Sequence, residues 1–477
     1  MSKEQLDDFS DLSVWTAIAS GQACLTISPD HCPSGDAMRL DFDFHGGGGF
    51  VVARRSYTPT LPESYVFSFD LCGQGLSNIF EFKLVDSANQ NVWRWRREVF
   101  DLTADWQTIQ IKSSEMQFAW GPLGGGPACD IAAIELVIAA GPGGQGTVRV
   151  GNLRFEDTSY YLTPVVSATH ALPGYEPQAV LDPSRSTGWR SASTKDPQQL
   201  TLDFQQEREY GGLTIVWDPE RRPASVNLEL SSDGVLWKSC FSTDQGVGRE
   251  THVYLPGASS RFVRMTLKAS ASGLGLGVVF IEVQPYAFSK SMNDFFSSIA
   301  RCSEPGLYPK YLLGHQTYWT PVGTGEDVTQ ALFNEEGMVE VDQGSFSIEP
   351  FLYAEGHLIS WADAVLKQTL ERGDLPIPSS EWSVGRLLFK STAFATGPEG
   401  SSSLFVRYCI TNRSDQAMPV TLFAAIRPFQ VTPTWQNWDR FGGVSPIHEL
   451  AYERGSVRVD QGKRVIPLTA PSQFGAN

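Results

Sequence analysis

Three groups of residues are fit to do chemistry. The run NVWRWRREVF at 91–100 alternates Trp93, Trp95 and Arg97 with Val92, Arg94 and Arg96. In an extended strand those two sets face opposite ways. Arg94 and Arg96 then share a side with Glu81 and Lys83 of the preceding apolar–polar run, and such a polar sheet face suits hydrogen bonding to sugar hydroxyls. The competing arrangement is a core of tryptophans with a solvated ladder of ion pairs outside. The C-terminal third offers Asp327, Glu335, Glu340, Asp342, Glu349 and Asp363. Cleaving a glycosidic bond takes two carboxylates at a set separation. Spacing favours no pair, and acids this frequent in β loops are expected to face solvent. The third group, Trp435, Trp438, Asp439 and Arg440, could line a sugar pocket or form an interface.

Other chemistries find no support. There is no HExxH, GxSxG or GxxxxGK pattern, and the glycine-rich GGQGTVRVG at 143–151 lies among strands without the helix that a phosphate loop requires, so neither a nucleotide nor a redox cofactor is expected. LDFDFHGGGGF at 40–50 has the acid spacing of a calcium loop, but Val52 stands where the bidentate Glu belongs, and a strand followed by a turn accounts for it. Seven histidines are spread singly, and His315 and His357 read as structural. The seven cysteines are scattered and without a CxxC pair, which argues against a disulfide framework or zinc site and for reduced, mostly buried thiols of a cytoplasmic protein.

The elements that must position these residues are mostly strands. At 477 residues, about three domains are expected. With 37 Lys+Arg against 53 Asp+Glu the net charge is −16, and a surface so acidic repels phosphate backbones and anionic lipid; neither nucleic acid nor a membrane is expected as partner. The opening MSKEQLDDFSDLSVW has no secretory pattern, and no apolar run approaches the roughly 18 residues of a spanning helix. The 44 glycines and 29 prolines point to many turns. Period-two runs predict strands over 38–44, 65–71, 79–85 and 91–97, then 199–204, 213–217, 226–231, 252–255, 262–267 and 278–283, then 387–393, 403–411 and 420–426. Residues 289–304, with Met292, Phe295, Phe296 and Ile299 on one face, predict a short linking helix. In 358–372, Ser360 followed by Asp363 resembles a capped helix, but flanking strands favour β.

The middle of the chain carries an ordered set of motifs: ATHALPGYEPQAVLDPSRSTGWRS, LTLDF, LTIVWD, VNLELSSDGVLWKS, SSRFVRMTL and VFIEVQPY. Together they resemble the discoidin or factor V/VIII C-type domain and family 32 carbohydrate-binding modules. The resemblance covers about residues 160–288 and implies a jelly-roll sandwich that presents ligands to loops at one end. It also implies a calcium ion held by Asp182, Thr187 and Glu282; the competing reading is an Asp182 that caps its own turn with Glu282 exposed. Trp189 and Trp237 occupy motif positions usually packed inside, which leaves Tyr175, Arg190 and Arg221 as the freer loop residues for a sugar.

Before it, FSDLSVW, AMRLDFDF, FEFKLVD, NVWRWRREVF and GTVRVGNLRFED resemble family 11 carbohydrate-binding modules and their galactose-binding-like relatives. After it, GLYPKYLLGHQTYW, SIEPFLYAEGHLISWADAVL and SSLFVRYCITNRSDQAMPVTLFAAIRPFQV are similar to the β-supersandwich that precedes an (α/α)6 barrel in glycan phosphorylases and related hydrolases. The expected organisation is all-β: jelly rolls over 1–157 and 158–288, a linker helix over 289–305, and a supersandwich over 306–477. The expected role is carbohydrate binding and scaffolding without turnover on this chain, with an oligo- or polysaccharide and a C-terminal (α/α)6 catalytic domain as partners. A complete glycoside hydrolase or phosphorylase with its site in the third segment, and a discoidin-type protein adaptor, are the alternatives.

Overall fold

The computed structural model describes residues 4–159, 161–192, 196–269, 274–325, 327–398, 400–437, 442–460 and 462–476. The protein is nearly all β, as the alternation predicts. Its residues divide into two compact units, the first running to Pro164 with Phe204–Arg208 added, the second holding Val165–Asp203 and everything from Glu209 on. No helix among the described residues is long and apolar enough to cross a membrane.

The first unit is a sandwich of two six-stranded antiparallel sheets. One orders Cys24–Cys32, Gly35–Asp43, Gln145–Asp157, Tyr65–Gly75 and Gln107–Lys112, with Glu4–Asp7 beside Gln145–Asp157. The other orders Gln117–Trp120, Val92–Arg97, Ile79–Asp86, Ile131–Ala139, Phe50–Ser56 and Trp15–Ala19. Phe67, Phe69 and Leu71 from the one meet Phe80, Phe82, Leu84, Trp93 and Trp95 from the other in a single buried core. Along strands such as Tyr65–Gly75 every second residue is apolar and faces the core, and burying that set fixes strand register, since a slip of one residue would turn it outward.

In the second unit a seven-stranded sheet is built around the long strands Gln198–Trp217 and Glu250–Ala269, with Trp189, Trp217, Leu228 and Met265 buried. The predicted linking helix is Met292–Cys302; Ser291 caps it by accepting the Asp294 amide. Phe295 packs edge-on against Phe288 and Tyr254, at ring separations of 5.1 and 5.2 Å. Beyond it lie a six-stranded sheet, a four-stranded sheet of consecutive hairpins (Val365–Glu371 to Ser403–Asn412) and a small three-stranded sheet. The ambiguous 358–372 segment is both things in turn. Ser360 and Asp363 form a reciprocal capping box, but around a single turn, Trp361–Asp363, before the strand Val365–Glu371.

The cysteines differ from expectation. All seven are free thiols, but Cys24, Cys129, Cys302 and Cys409 are exposed, because they sit on outward strand positions or at loops and element ends instead of in the cores.

Candidate functional site

In the second sheet of the first unit, register lines up the outward side chains in rows across the strands. Gln117 pairs with Arg94, Arg94 with Lys83, Lys83 with Glu135, Glu135 with Arg54, and Arg54 with Thr16. The row therefore crosses all six strands, five spacings of about 4.8 Å or about 24 Å in all. In the adjacent row Arg96 stands opposite Glu81. Glu81 is 4% exposed and holds Lys83 Nζ at 2.9 Å, Arg94 NH1 at 2.9 Å and Arg96 Nε at 3.4 Å. Farther along the long row, Arg54 reaches Glu135 at 2.8 Å. All four residues singled out here by sequence, Glu81, Lys83, Arg94 and Arg96, thus lie in one cluster, with Trp93 and Trp95 buried on the opposite face.

Trp120 completes this face. A bulge between Phe118 and Trp120 shifts the register, so that Phe118 enters the core against Trp93 while Trp120, 49% exposed, stands opposite Val92 with Lys83 Nζ 5.1 Å from its ring centroid. Sequence reasoning passed over it, together with Arg54 and Glu135. The available signal was an aromatic residue closing the QFAW run just before the turn-forming GPLGGGP.

At one end of the seven-stranded sheet, Tyr175, Arg190 and Arg221 are gathered around Asp218. Arg190 Nε donates to Asp218 Oδ2 at 2.7 Å, its NH1 reaches the Tyr175 hydroxyl at 3.1 Å, and its guanidinium covers the Tyr175 ring at 4.4 Å. Arg221 donates to the Leu274 carbonyl and, through its amide, to Asp218 O at 3.1 Å. Arg190, Asp218 and Tyr175 satisfy one another and one face of the Tyr175 ring is already occupied, whereas Arg221 Nε is buried without a hydrogen-bond partner among the described residues. Trp189 is fully buried, donating to His170 O at 2.8 Å. Trp237 departs from expectation: it is only half-buried at a hairpin, where Arg264 lies over its ring at 3.9 Å.

Of the residues tied to calcium, Asp182 accepts the Ser184 amide at 2.9 Å and the Ser184 hydroxyl at 2.7 Å, and these bonds hold its carboxyl below the usual range. Thr187 and Glu282 are exposed, the latter on the strand Gly277–Gln284 opposite Thr214. No group of three or more His, Cys, Asp or Glu side chains able to hold a metal occurs among the described residues. A hard cation at Asp182 would share that carboxylate with its own turn and draw its remaining oxygens from backbone carbonyls.

The acids of the third segment are not the solvent-facing set expected. Glu340, Glu349 and Asp327 are buried, because the strands carrying the two glutamates are covered on both faces. Glu340 accepts the amides of Val431 at 2.7 Å and Gly344 at 2.8 Å, and burial pushes it up to about 7. Glu349 pairs with Arg427 at 2.6 Å and is raised by its complete burial. Glu336, absent from the sequence-based set, is likewise pushed up by burial to about 7 beside Lys310 at 3.0 Å. Glu335 pairs with Lys310 and accepts the Tyr318 amide, Asp342 pairs with Lys463, and Asp363 serves the capping box. A groove of about 450 Å³ runs past Tyr318, Trp319, Glu335 and Gln368, and Glu335 is the one carboxylate among its described lining. Trp435 is exposed, edge-on to Tyr311 at 6.5 Å. Trp438, Asp439 and Arg440 lie outside the described residues.

Residues 165–279 match the F5/8 type C domain family. No curated protein matches the chain. Solved structures similar to parts of it include the family 11 carbohydrate-binding module of the cellulosomal cellulase Lic26A-Cel5E of Clostridium thermocellum, at 18% identity over 33% of this chain and 95% of that one, TM-score 0.28. Another is chitosan-binding module 2 of a chitosanase/glucanase from Paenibacillus sp. IK-5, in complex with chitotriose, at 19% identity over 26% and 98% of the two chains, TM-score 0.25. A third is the CBM32 of AlyQ in complex with 4,5-unsaturated mannuronic acid, at 17% identity over 26% and 95%, TM-score 0.23.

Proposed function

We propose that the protein binds oligosaccharides along the outward face of the Trp120 sheet, as the carbohydrate-binding and scaffolding part of a glycan-processing system. The observation that carries this reading is the half-exposed Trp120 ring at the corner of a polar row that crosses six strands. An aromatic face packs on the C–H groups of a pyranose, while Arg94, Arg96, Arg54 and Gln117 supply donors for its hydroxyls. Glu81 and Glu135 hold the guanidinium groups in place before any ligand arrives, which reduces the ordering cost of binding. The discoidin end around Tyr175, Arg190 and Arg221 is the secondary contact in this reading, and an (α/α)6 domain beyond a supersandwich-like third segment is where turnover would reside.

Calorimetry against gluco- and chito-oligosaccharides and against anionic uronic-acid oligosaccharides tests the proposal. Binding by at least one class is expected, with Trp120→Ala weakening it about thirty-fold, the roughly 2 kcal/mol typical of losing an aromatic anchor. No heat from any class at millimolar concentration would remove the reading.

Calcium at Asp182, Thr187 and Glu282 is part of the same proposal and has its own test. Millimolar calcium should raise the melting temperature, a chelator should reverse the gain, and Asp182→Asn should abolish it. An unchanged melting curve removes the ion.

A further inference from the structure

At the end of the first unit's hairpin Cys24–Cys32 / Gly35–Asp43, three side chains stand in line. Cys24 lies directly opposite Asp43 in the ladder. Cys24 Sγ is 3.5 Å from His45 Nε2, and His45 Nδ1 is 3.4 Å from Asp43 Oδ2. The carboxylate and the thiol thus occupy opposite edges of one imidazole ring. No single cation could take all three as ligands from that arrangement, whereas a proton relay needs it: the carboxylate fixes the proton on Nδ1 and leaves the Nε2 lone pair facing the S–H.

His45 is held there at a cost. Its φ is 49°, the left-handed region that few side chains adopt, and the Asp43 Oδ1 that accepts its amide at 2.7 Å keeps it in place. The thiol is exposed, and the glycines that follow, Gly46 to Gly49, leave the approach uncrowded by side chains. Ionisable neighbours are few. Asp41, one step up the same face, is taken by Arg39 at 2.7 Å and by the Thr147 hydroxyl. The strand alongside contributes Gln145, and Gly21–Ala23 and Gly46–Gly49 bring no ionisable group. Among the described residues no other cysteine sulfur contacts a histidine ring. The exposed Cys129 has the Pro127 carbonyl as its sulfur's hydrogen-bond partner, at 3.9 Å.

We propose that Cys24, with His45 as its base and Asp43 as positioning residue, is a nucleophilic thiol that forms mixed disulfides with low-molecular-weight disulfides. His45 Nε2 takes the thiol proton, and the thiolate attacks one sulfur of RS–SR. A Cys24 S–S bond forms as the reagent's S–S bond breaks, and the leaving thiolate departs as RSH with the proton returned from Nε2. The reagent is the oxidant, and electrons balance without another.

The test is site-resolved kinetics on the full chain with 4,4′-dithiodipyridine, quenched and read by peptide mass spectrometry, with Cys129 in the same unit as internal reference. At pH 7 Cys24 is expected to react at least tenfold faster than Cys129. His45→Asn, which tolerates the left-handed backbone, should bring the ratio of the two rates close to one. Asp43→Asn should slow Cys24 and leave the Cys129 rate unchanged, and Asp43→Glu, which keeps the carboxylate, should restore the Cys24 rate in part, a rescue that a merely structural role would not give. The proposal is overturned if Cys24 in the parent protein reacts no faster than Cys129, or if His45→Asn leaves the ratio unchanged.

Discussion

Glu81→Ala should lower the melting temperature of the first unit by about 10 °C. The carboxylate is 4% exposed and sits among Lys83, Arg94 and Arg96, all within 3.4 Å, so its removal leaves three like charges facing one another across adjacent strands. Removing one partner of a buried ionic cluster typically costs about 3–5 kcal/mol, far more than the cluster's net contribution, because the cost is that of uncompensated charge. The three cations keep between 12% and 31% of their side-chain surface in water, which places the expected loss near 3 kcal/mol. For a unit of this size, each kcal/mol moves the midpoint by about 2–4 °C. Glu98→Ala is the control: its carboxylate is 69% exposed and pairs with Arg96 from the sheet's end, so its loss should stay within about 1 kcal/mol. Thermal melts followed by circular dichroism check both. Equal, small shifts in the two variants would show that the cluster is not structural. The same change bears on the proposed function, since Arg94 and Arg96 would lose the anchor that orients them and saccharide affinity should fall alongside stability.

That cluster shows what local sequence carries and what it does not. Alternation is a property of adjacent residues, so NVWRWRREVF was enough to send Trp93 and Trp95 inward and Arg94 and Arg96 outward, and the neighbouring FEFKLVD run was enough to put Glu81 and Lys83 on the same side. Burial of a charge is not local. Glu349 looked like one acid among many because its partner, Arg427, lies 78 residues away on a strand whose pairing with Ser347–Ala354 has no signature in either segment. Glu340 is satisfied by two backbone amides, of Val431 and Gly344, and backbone donors carry no residue identity to read. Trp120 was missed because a one-residue bulge reverses the side on which it emerges, and a bulge in a four-residue strand breaks the only periodicity available. Cys24 and Asp43 are 19 positions apart, and only the hairpin register puts them opposite each other with His45 alongside.

The buried acids of the second unit set the last and broadest expectation, a stability that declines as pH rises through neutrality. Glu336 and Glu340 are both pushed up to about 7 by burial, from an ordinary value of 4.5. Below pH 4.5 each is protonated whether folded or unfolded and stability does not depend on it. Between 4.5 and 7 the unfolded chain releases a proton that the folded one retains, so stability falls by about 1.4 kcal/mol per pH unit for each group, on the order of 3 kcal/mol for each of the two. Above 7 the loss is complete and levels off. Groups held low, such as Asp30 and Asp41 in the first unit, act oppositely and in another window, since their stabilisation disappears only as pH falls below about 4. Self-repulsion in a chain of net charge −16 adds to a decline at high pH, so the slope alone does not identify its source. Glu340→Gln isolates it. The amide keeps one oxygen for the Val431 or Gly344 donor, forfeits the other bond at a cost of about 1 kcal/mol, and cannot ionise. Urea midpoints measured from pH 5 to pH 8 should therefore cross: the parent more stable at pH 5, the variant equal or better at pH 8. A parent whose midpoint stays flat or climbs over that range, or a variant that falls with the parent's slope, would mean that Glu340 titrates normally and is not held protonated by its surroundings.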